Sequence, residues 1–194
     1  MGHWQIYLTG RLLELFGRRD TAIECYEGAL AQAPDFHRAQ NRIAYSHASQ
    51  GRFAQAVPRF QAVLRVQPND AVAHFNLGYA FDQLGEFDNA LVAFRDATRL
   101  NPKIDRAWYG LGMAHAALGQ HEAAATALRE ASTLQPMNPH AWYQLGMAQH
   151  TLHNTKAFDE VAMHLLRFDP RMTRRLIDDA GREDLAHLVK DLVV

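Results

Sequence analysis

An all-α array of helical hairpins is the fold class this sequence predicts, on three observations. Prolines stand at 34, 68, 102, 136 and 170, a constant spacing of 34 residues. Glycines at 17, 51, 85 and 119 keep the same period, with His153 in the fifth slot, and Gly10, Ala44, Gly78, Gly112 and Gly146 form a third series in register. Between these markers the apolar residues recur at helical spacing. A fixed period of this length is the mark of stacked supersecondary units, each too small to bury its own apolar face.

The elements follow in chain order within each period. In the stretch 105–138, Trp108, Leu111, Gly112, Ala114, His115 and Leu118 share one side of a first helix that ends at Gly119. Ala124, Leu128, Ala131 and Leu134 then give a second stripe, stopped near Pro136. The glycine series supplies the residue that takes positive φ as a first helix ends. Proline closes the second helix and disfavours helical geometry in the residue before it. Gly112 opposite Ala124 and Ala131 lets the two helices approach closely. Three places depart from the pattern. His153 replaces glycine and Phe158 replaces the alanine of Ala22, Ala56, Ala90 and Ala124, which predicts a differently packed fifth hairpin with Asn154 as its left-handed cap. Pro58 falls about one turn inside a helix beginning near Phe53, which predicts a kink or a late start. The last 22 residues lose the period. Their stripe of Leu185, Leu188, Val189, Leu192 and Val193 predicts a capping helix over the end of the array, or a face for a partner helix.

Composition narrows the function. Twenty basic against 21 acidic residues leave a net charge of -1, which gives no electrostatic ground for nucleic acid or an anionic membrane as partner. Cys25 is the only cysteine, so no intramolecular disulfide and no CxxC metal or redox motif exists. With no secretory leader pattern at the start and no window of 18 apolar residues, a soluble cytoplasmic protein is expected, without membrane insertion. Neither a phosphate loop, a GxGxxG turn, an HExxH helix nor a GxSxG elbow occurs. Among the eleven histidines, His150 and His153 stand three apart but lack an acidic or sulfur ligand at short spacing, and His47 and His115 occupy interhelix positions. The expectation is therefore a protein that is not an enzyme and carries no cofactor or metal.

On these residues the chain resembles the tetratricopeptide repeat family, whose unit is 34 residues long. The matching positions are Trp108, Leu111, Gly112, Ala124, Leu128, Ala131 and Pro136 in the fourth unit and Leu77, Gly78, Phe81, Ala90, Phe94, Ala97 and Pro102 in the third. The resemblance implies a right-handed α-solenoid forming a single domain over 1–194, with repeats 3–36, 37–70, 71–104, 105–138 and 139–172 and a capping segment 173–194. It also implies a concave surface lined by the first helices, which bind a peptide segment of another protein.

The exposed positions of that surface predict a binding face of Arg38, Asn41, Arg42, Tyr45, Phe75, Asn76, Tyr79, Arg106, Tyr109, Met113, Tyr143 and Met147, preceded in the first unit by Trp4, Tyr7, Leu8, Arg11 and Glu14. Tyrosines give area with a polar tip, methionines adapt their shape, and arginines pair with carboxylates. The expected ligand is a peptide with apolar side chains and an acidic group or a free C-terminus. The family's two-carboxylate clamp of Lys, Asn, Asn, Lys and Arg is not reproduced. Its slots hold Tyr7, Arg11, Arg42, Val72 and Asn76 in one register, and Asn41, Tyr45, Asn76, Arg106 and Gly110 in the next. The alternative is a structural scaffold that associates with itself through the C-terminal region or the groove.

Overall fold

The computed structural model describes residues 2–190, which form helices joined by short connections and fall into two compact units divided between Asn101 and Pro102. The first unit holds three hairpins: α1 (His3–Leu15) with α2 (Arg19–Gln32), α3 (His37–Ser49) with α4 (Phe53–Val66), and α5 (Ala71–Gln83) with α6 (Phe87–Leu100). The second holds α7 (Asp105–Ala117) with α8 (His121–Leu134) and α9 (Pro139–Thr151) with α10 (Thr155–Leu166), followed by α11 (Pro170–Asp179) and a 3-10 helix, Glu183–Val189.

Small residues set the closeness of each hairpin. A methyl group added at Gly10 would lie 2.7 Å from the Tyr26 ring, at Gly78 2.7 Å from Phe94, and at Gly112 2.6 Å from Leu128. In each case the large residue comes from the second helix of the same hairpin. The turns behave as the sequence predicts: Gly17, Gly51, Gly85 and Gly119 have φ between 72° and 75°, a left-handed geometry that costs a side-chain-bearing residue about 1–2 kcal/mol.

A recurring hydrogen bond closes the turn before a first helix. Trp108 Nε1 donates to the Pro102 carbonyl at 2.9 Å, and Trp142 Nε1 to the Pro136 carbonyl at 2.9 Å. His74 Nε2 lies 2.9 Å from the Pro68 carbonyl in the third unit. The tryptophan position therefore fastens the proline turn that precedes its helix.

Three sequence expectations need correction. At the fifth turn His153 itself takes the left-handed conformation, with φ of 54°, while Asn154 has φ of -88° and caps α10 through its side chain on Ala157 N. The late start allowed for at Pro58 does not occur: helix α4 begins at Phe53 and includes Pro58 on its exposed side. The fifth proline opens a helix instead of closing one, because α10 ends early at Leu166 and Pro170 sits in the first turn of α11, where a missing N–H is harmless.

This early start explains the fifth hairpin. Units one to four pair a small residue with a large one a turn later: Ala22 with Tyr26, Ala56 with Phe60, Ala90 with Phe94 and Ala124 with Leu128. In the fifth the order is inverted, Phe158 then Ala162. The place over Gly146 is taken by Leu176 of α11, whose methyl carbons would stand 2.8 Å from an added Cβ. Leu176 is fully buried with Phe158, Ala162 and Leu165 in one core. The terminal stripe is thus only partly a helix of the expected kind: Leu185, Leu188 and Val189 belong to the 3-10 segment, Val189 is buried, and Leu192 and Val193 lie outside the described residues.

Candidate functional site

In the first unit, α3 presents Arg38, Asn41, Arg42 and Tyr45 at steps of three and four residues, so they share a face, and α3 meets α5, which carries Phe75, Asn76 and Tyr79 at the same spacing. Tyr45 is 51% exposed and Tyr79 43%. Their hydroxyls, like the side chains of Asn41 and Asn76, make no hydrogen bond among the described residues. Phe53 braces Tyr79 edge-on at 5.7 Å, and Phe75 tilts over Phe94 at 6.1 Å, so both aromatic residues are anchored from beneath. Arg38 stacks on Trp4 at 5.4 Å.

Arg42 differs from what its sequence position suggests. Its guanidinium is engaged by Glu14 of α1, which also accepts from the Tyr26 hydroxyl of α2 at 2.8 Å. Burial, then the Glu14 carboxylate, pushes the Tyr26 hydroxyl far above its ordinary range. The triad ties three helices together and consumes the charge that a ligand would need. Tyr7 is a second such case: it is 6% exposed, packed against Tyr26 and Phe36, and belongs to the core.

In the second unit, Met113 and Met147 are half-buried, and Met147 packs on the core with Tyr109 and Tyr143. The Tyr143 hydroxyl donates to Asp179 of α11 at 2.6 Å, and Arg175 lies 5.2 Å over its ring. The Tyr143 hydrogen bond, helped by Arg175, holds the Asp179 carboxyl below its usual range. Tyr143 is therefore a docking point for α11. Arg106 is exposed, makes no ion pair or hydrogen bond among the described residues, and stands at a cleft of about 280 Å³ lined also by Asp105, Tyr109, Ala131, Asn138 and His140.

Sequence reasoning placed Trp4 and Leu8 on the binding face but missed that Leu12, Leu15 and Phe16 continue them into an exposed strip. Trp4, Leu8, Leu12, Leu15 and Phe16 are 45%, 59%, 55%, 79% and 75% exposed, an apolar strip along one helix. The signal lay in register: the place of Leu12 is held by Ser46, Ala80, Ala114 and Ala148 in later units, all buried.

Among the described residues, no group of three or more His, Cys, Asp and Glu side chains is placed to hold a metal ion, and no helix is long and apolar enough to cross a membrane. His115 Nδ1 lies 2.6 Å from Gln120 Oε1, and His150 packs edge-on to Phe158 at 6.1 Å.

Paired helices repeated in register, with varied side chains on the first helix of each pair, define a helical-repeat interaction protein. The sequence pattern of the family described as Tetratricopeptide repeat matches residues 7–57, 41–103, 80–139 and 117–158, and the chain belongs to that family. Solved structures share the fold. MamA is 20% identical over 89% of this chain and 96% of its own, with a TM-score of 0.75. A MamA fragment from Desulfovibrio magneticus RS-1 is 18% identical over 94% and 97%, with a TM-score of 0.76. YrrB, described as a TPR protein with an unusual peptide-binding site, is 19% identical over 91% and 90%, with a TM-score of 0.80. No curated protein matches the sequence. The family supports a protein-interaction scaffold as the broad class of function.

Proposed function

We infer that this protein is a non-catalytic cytoplasmic adaptor that holds a peptide segment of another protein on the first-helix faces. The observation that carries this reading is the pairing of exposed tyrosines, Tyr45 and the braced Tyr79, with unpartnered amides, Asn41 and Asn76, on α3 and α5. Asparagine side chains in this setting can bond to a peptide backbone, with tyrosine rings covering its apolar side chains. Arg38 and Phe75 extend those faces, and Met113 and Met147 stand on first helices of the second unit. YrrB, a neighbour in fold with a peptide-binding site, supports the same reading.

The test is a selection of random displayed peptides on the whole protein, followed by affinities for the Tyr45→Ala/Tyr79→Ala variant. Enriched peptides should bind the variant at least about tenfold more weakly, since truncating a central aromatic contact costs roughly 2 kcal/mol, with unchanged far-UV circular dichroism. Equal affinity would remove these faces from the account.

The exposed strip on α1 favours a second reading, self-association through that helix. Sedimentation at rising concentration should then give a mass that increases in the parent and stays monomeric in Leu8→Asp/Leu12→Asp. A concentration-independent monomeric mass in the parent would dismiss it.

A further inference from the structure

We propose that the exposed ridge of α1 docks this protein on the surface of an anionic lipid bilayer. The inference goes beyond the peptide-binding reading and does not depend on it. It claims the strip that self-association would otherwise use.

The ridge is more than the face left bare where a row of hairpins begins. In the second and third units that stacking face is apolar and buried, with Ala39 and Ala73 at one place and Ile43 and Leu77 at the next. Helix α1 carries Gln5 and Thr9 there instead, both exposed. Gln5 Oε1 accepts from Gly2 N at 3.1 Å and Thr9 Oγ1 donates to the Gln5 carbonyl at 3.0 Å, so this part of the face is suited to water. Leu8 and Leu15, seven residues apart, share a different side of the helix. Later units hold Arg42 and Asn76 in place of the first, and Ser49 and Gln83 in place of the second. Two exposed leucines therefore stand where the repeat elsewhere carries polar residues, and packing within the array does not account for them.

The shape of the ridge suits a bilayer. With Trp4 and Leu12 the two leucines make one apolar line that ends in Phe16, and exposure is greatest at the hairpin tip, 79% for Leu15 and 75% for Phe16. Side chains that stand out in this way enter the headgroup region of a membrane, whereas a partner helix is held by a groove. Five residues along one helix also fall well short of the roughly 20–30 residues a side of a standard protein interface.

Charge selects the lipid. The whole chain is nearly neutral, but the tip is not. Arg18 and Arg19 follow Phe16 and Gly17 directly, both are exposed, and their side chains make no hydrogen bond or ion pair among the described residues. Arg11 flanks the ridge and Arg38 stacks on Trp4 at its other end. The nearby acids are engaged elsewhere: Glu14 holds Arg42 and the Tyr26 hydroxyl, and Asp20 pairs with Arg52 at 2.8 Å. A Trp, Leu and Phe face with an arginine margin matches a helix lying in the plane of an anionic membrane surface.

Cosedimentation of the whole protein with vesicles tests this, using phosphatidylcholine alone and an equal mixture of phosphatidylcholine and phosphatidylglycerol. The parent should bind the mixed vesicles at about 0.1 M salt, bind several-fold less at about 0.5 M, and leave phosphatidylcholine in the supernatant. Leu15→Gln/Phe16→Gln and Arg18→Gln/Arg19→Gln, all at exposed positions, should each weaken binding by about tenfold or more, with unchanged far-UV circular dichroism. No binding of the parent to mixed vesicles, or binding indifferent to both pairs, would overturn the proposal, and equal binding to the two lipids would overturn the choice of an anionic surface. A parent that ignores vesicles yet forms a dimer abolished by Leu8→Asp/Leu12→Asp would give the ridge to a second copy instead. Tyr45→Ala/Tyr79→Ala should bind vesicles as the parent does, so loss of peptide binding and loss of membrane binding are read separately.

Discussion

His47 carries a charge problem on α3 that the rest of the hairpin leaves unsolved. Its Nδ1 is buried with no hydrogen-bond partner among the described residues. Burial first, then Arg52 and Arg59, hold its pKa below the ordinary value, with Glu27 and Asp20 opposing. The unfolded chain therefore takes up a proton near pH 6.5 while the folded one does not. Stability present above that pH is lost as pH falls from about 6.5 towards the lower folded value. The third unit has Phe81 at this place. His47→Phe should raise stability by about 1 kcal/mol at neutral pH by removing an orphaned polar atom, and should abolish the part of the acid slope that begins near pH 6.5. Denaturant unfolding at pH 7.5 and 5.5 checks both; a slope identical in the two proteins would show that His47 does not titrate differently on folding. Side-chain partners of this kind are poorly legible in sequence. The face of α3 was readable from spacing, but Arg42 was read as open to a ligand, because Glu14 lies 28 residues away and its approach depends on how α1 and α3 stack.

Most of the helices could be read from the sequence, since proline, glycine and apolar spacing each act within a few residues. The fifth hairpin could not. Its inverted pair, Phe158 and Ala162, announces different packing but does not say what fills the place of the missing large residue. That depends on α11, drawn in by an early end to α10, and on Leu176 over Gly146. The capping role expected of the terminal stripe is carried chiefly by α11, anchored by Leu176 inside and by Tyr143 with Asp179 at the surface. Arg182 adds a clasp: it bonds Asp159 of α10 and Asp184, each at 2.7 Å, and lies 5.0 Å over the Phe158 ring. Leu176→Ala should destabilise the protein by about 2–5 kcal/mol, the cost of a cavity in a packed core. If α11 were a loose appendage, thermal unfolding of the variant would match the parent.

At the scale of the molecule, each compact unit is built from the same hairpin, and function must lie in what the hairpins display. Repeat folds keep their framework and vary their faces, so family membership defines the scaffold while the ligand is set by a few side chains. The first unit displays tyrosines and amides, and the second a cleft with an open arginine. The central claim is that a peptide lies on first helices and not on the outer surface formed by second helices. Photo-crosslinking tests it most directly. A photoreactive residue is placed at Tyr79 on α5 or at Val92 on α6, which is 58% exposed, and each protein is irradiated with a selected peptide. The account predicts a crosslink from position 79 that an excess of unlabelled peptide suppresses, and none from position 92. A competed crosslink from 92 alone would place the binding surface on the second helices and contradict it.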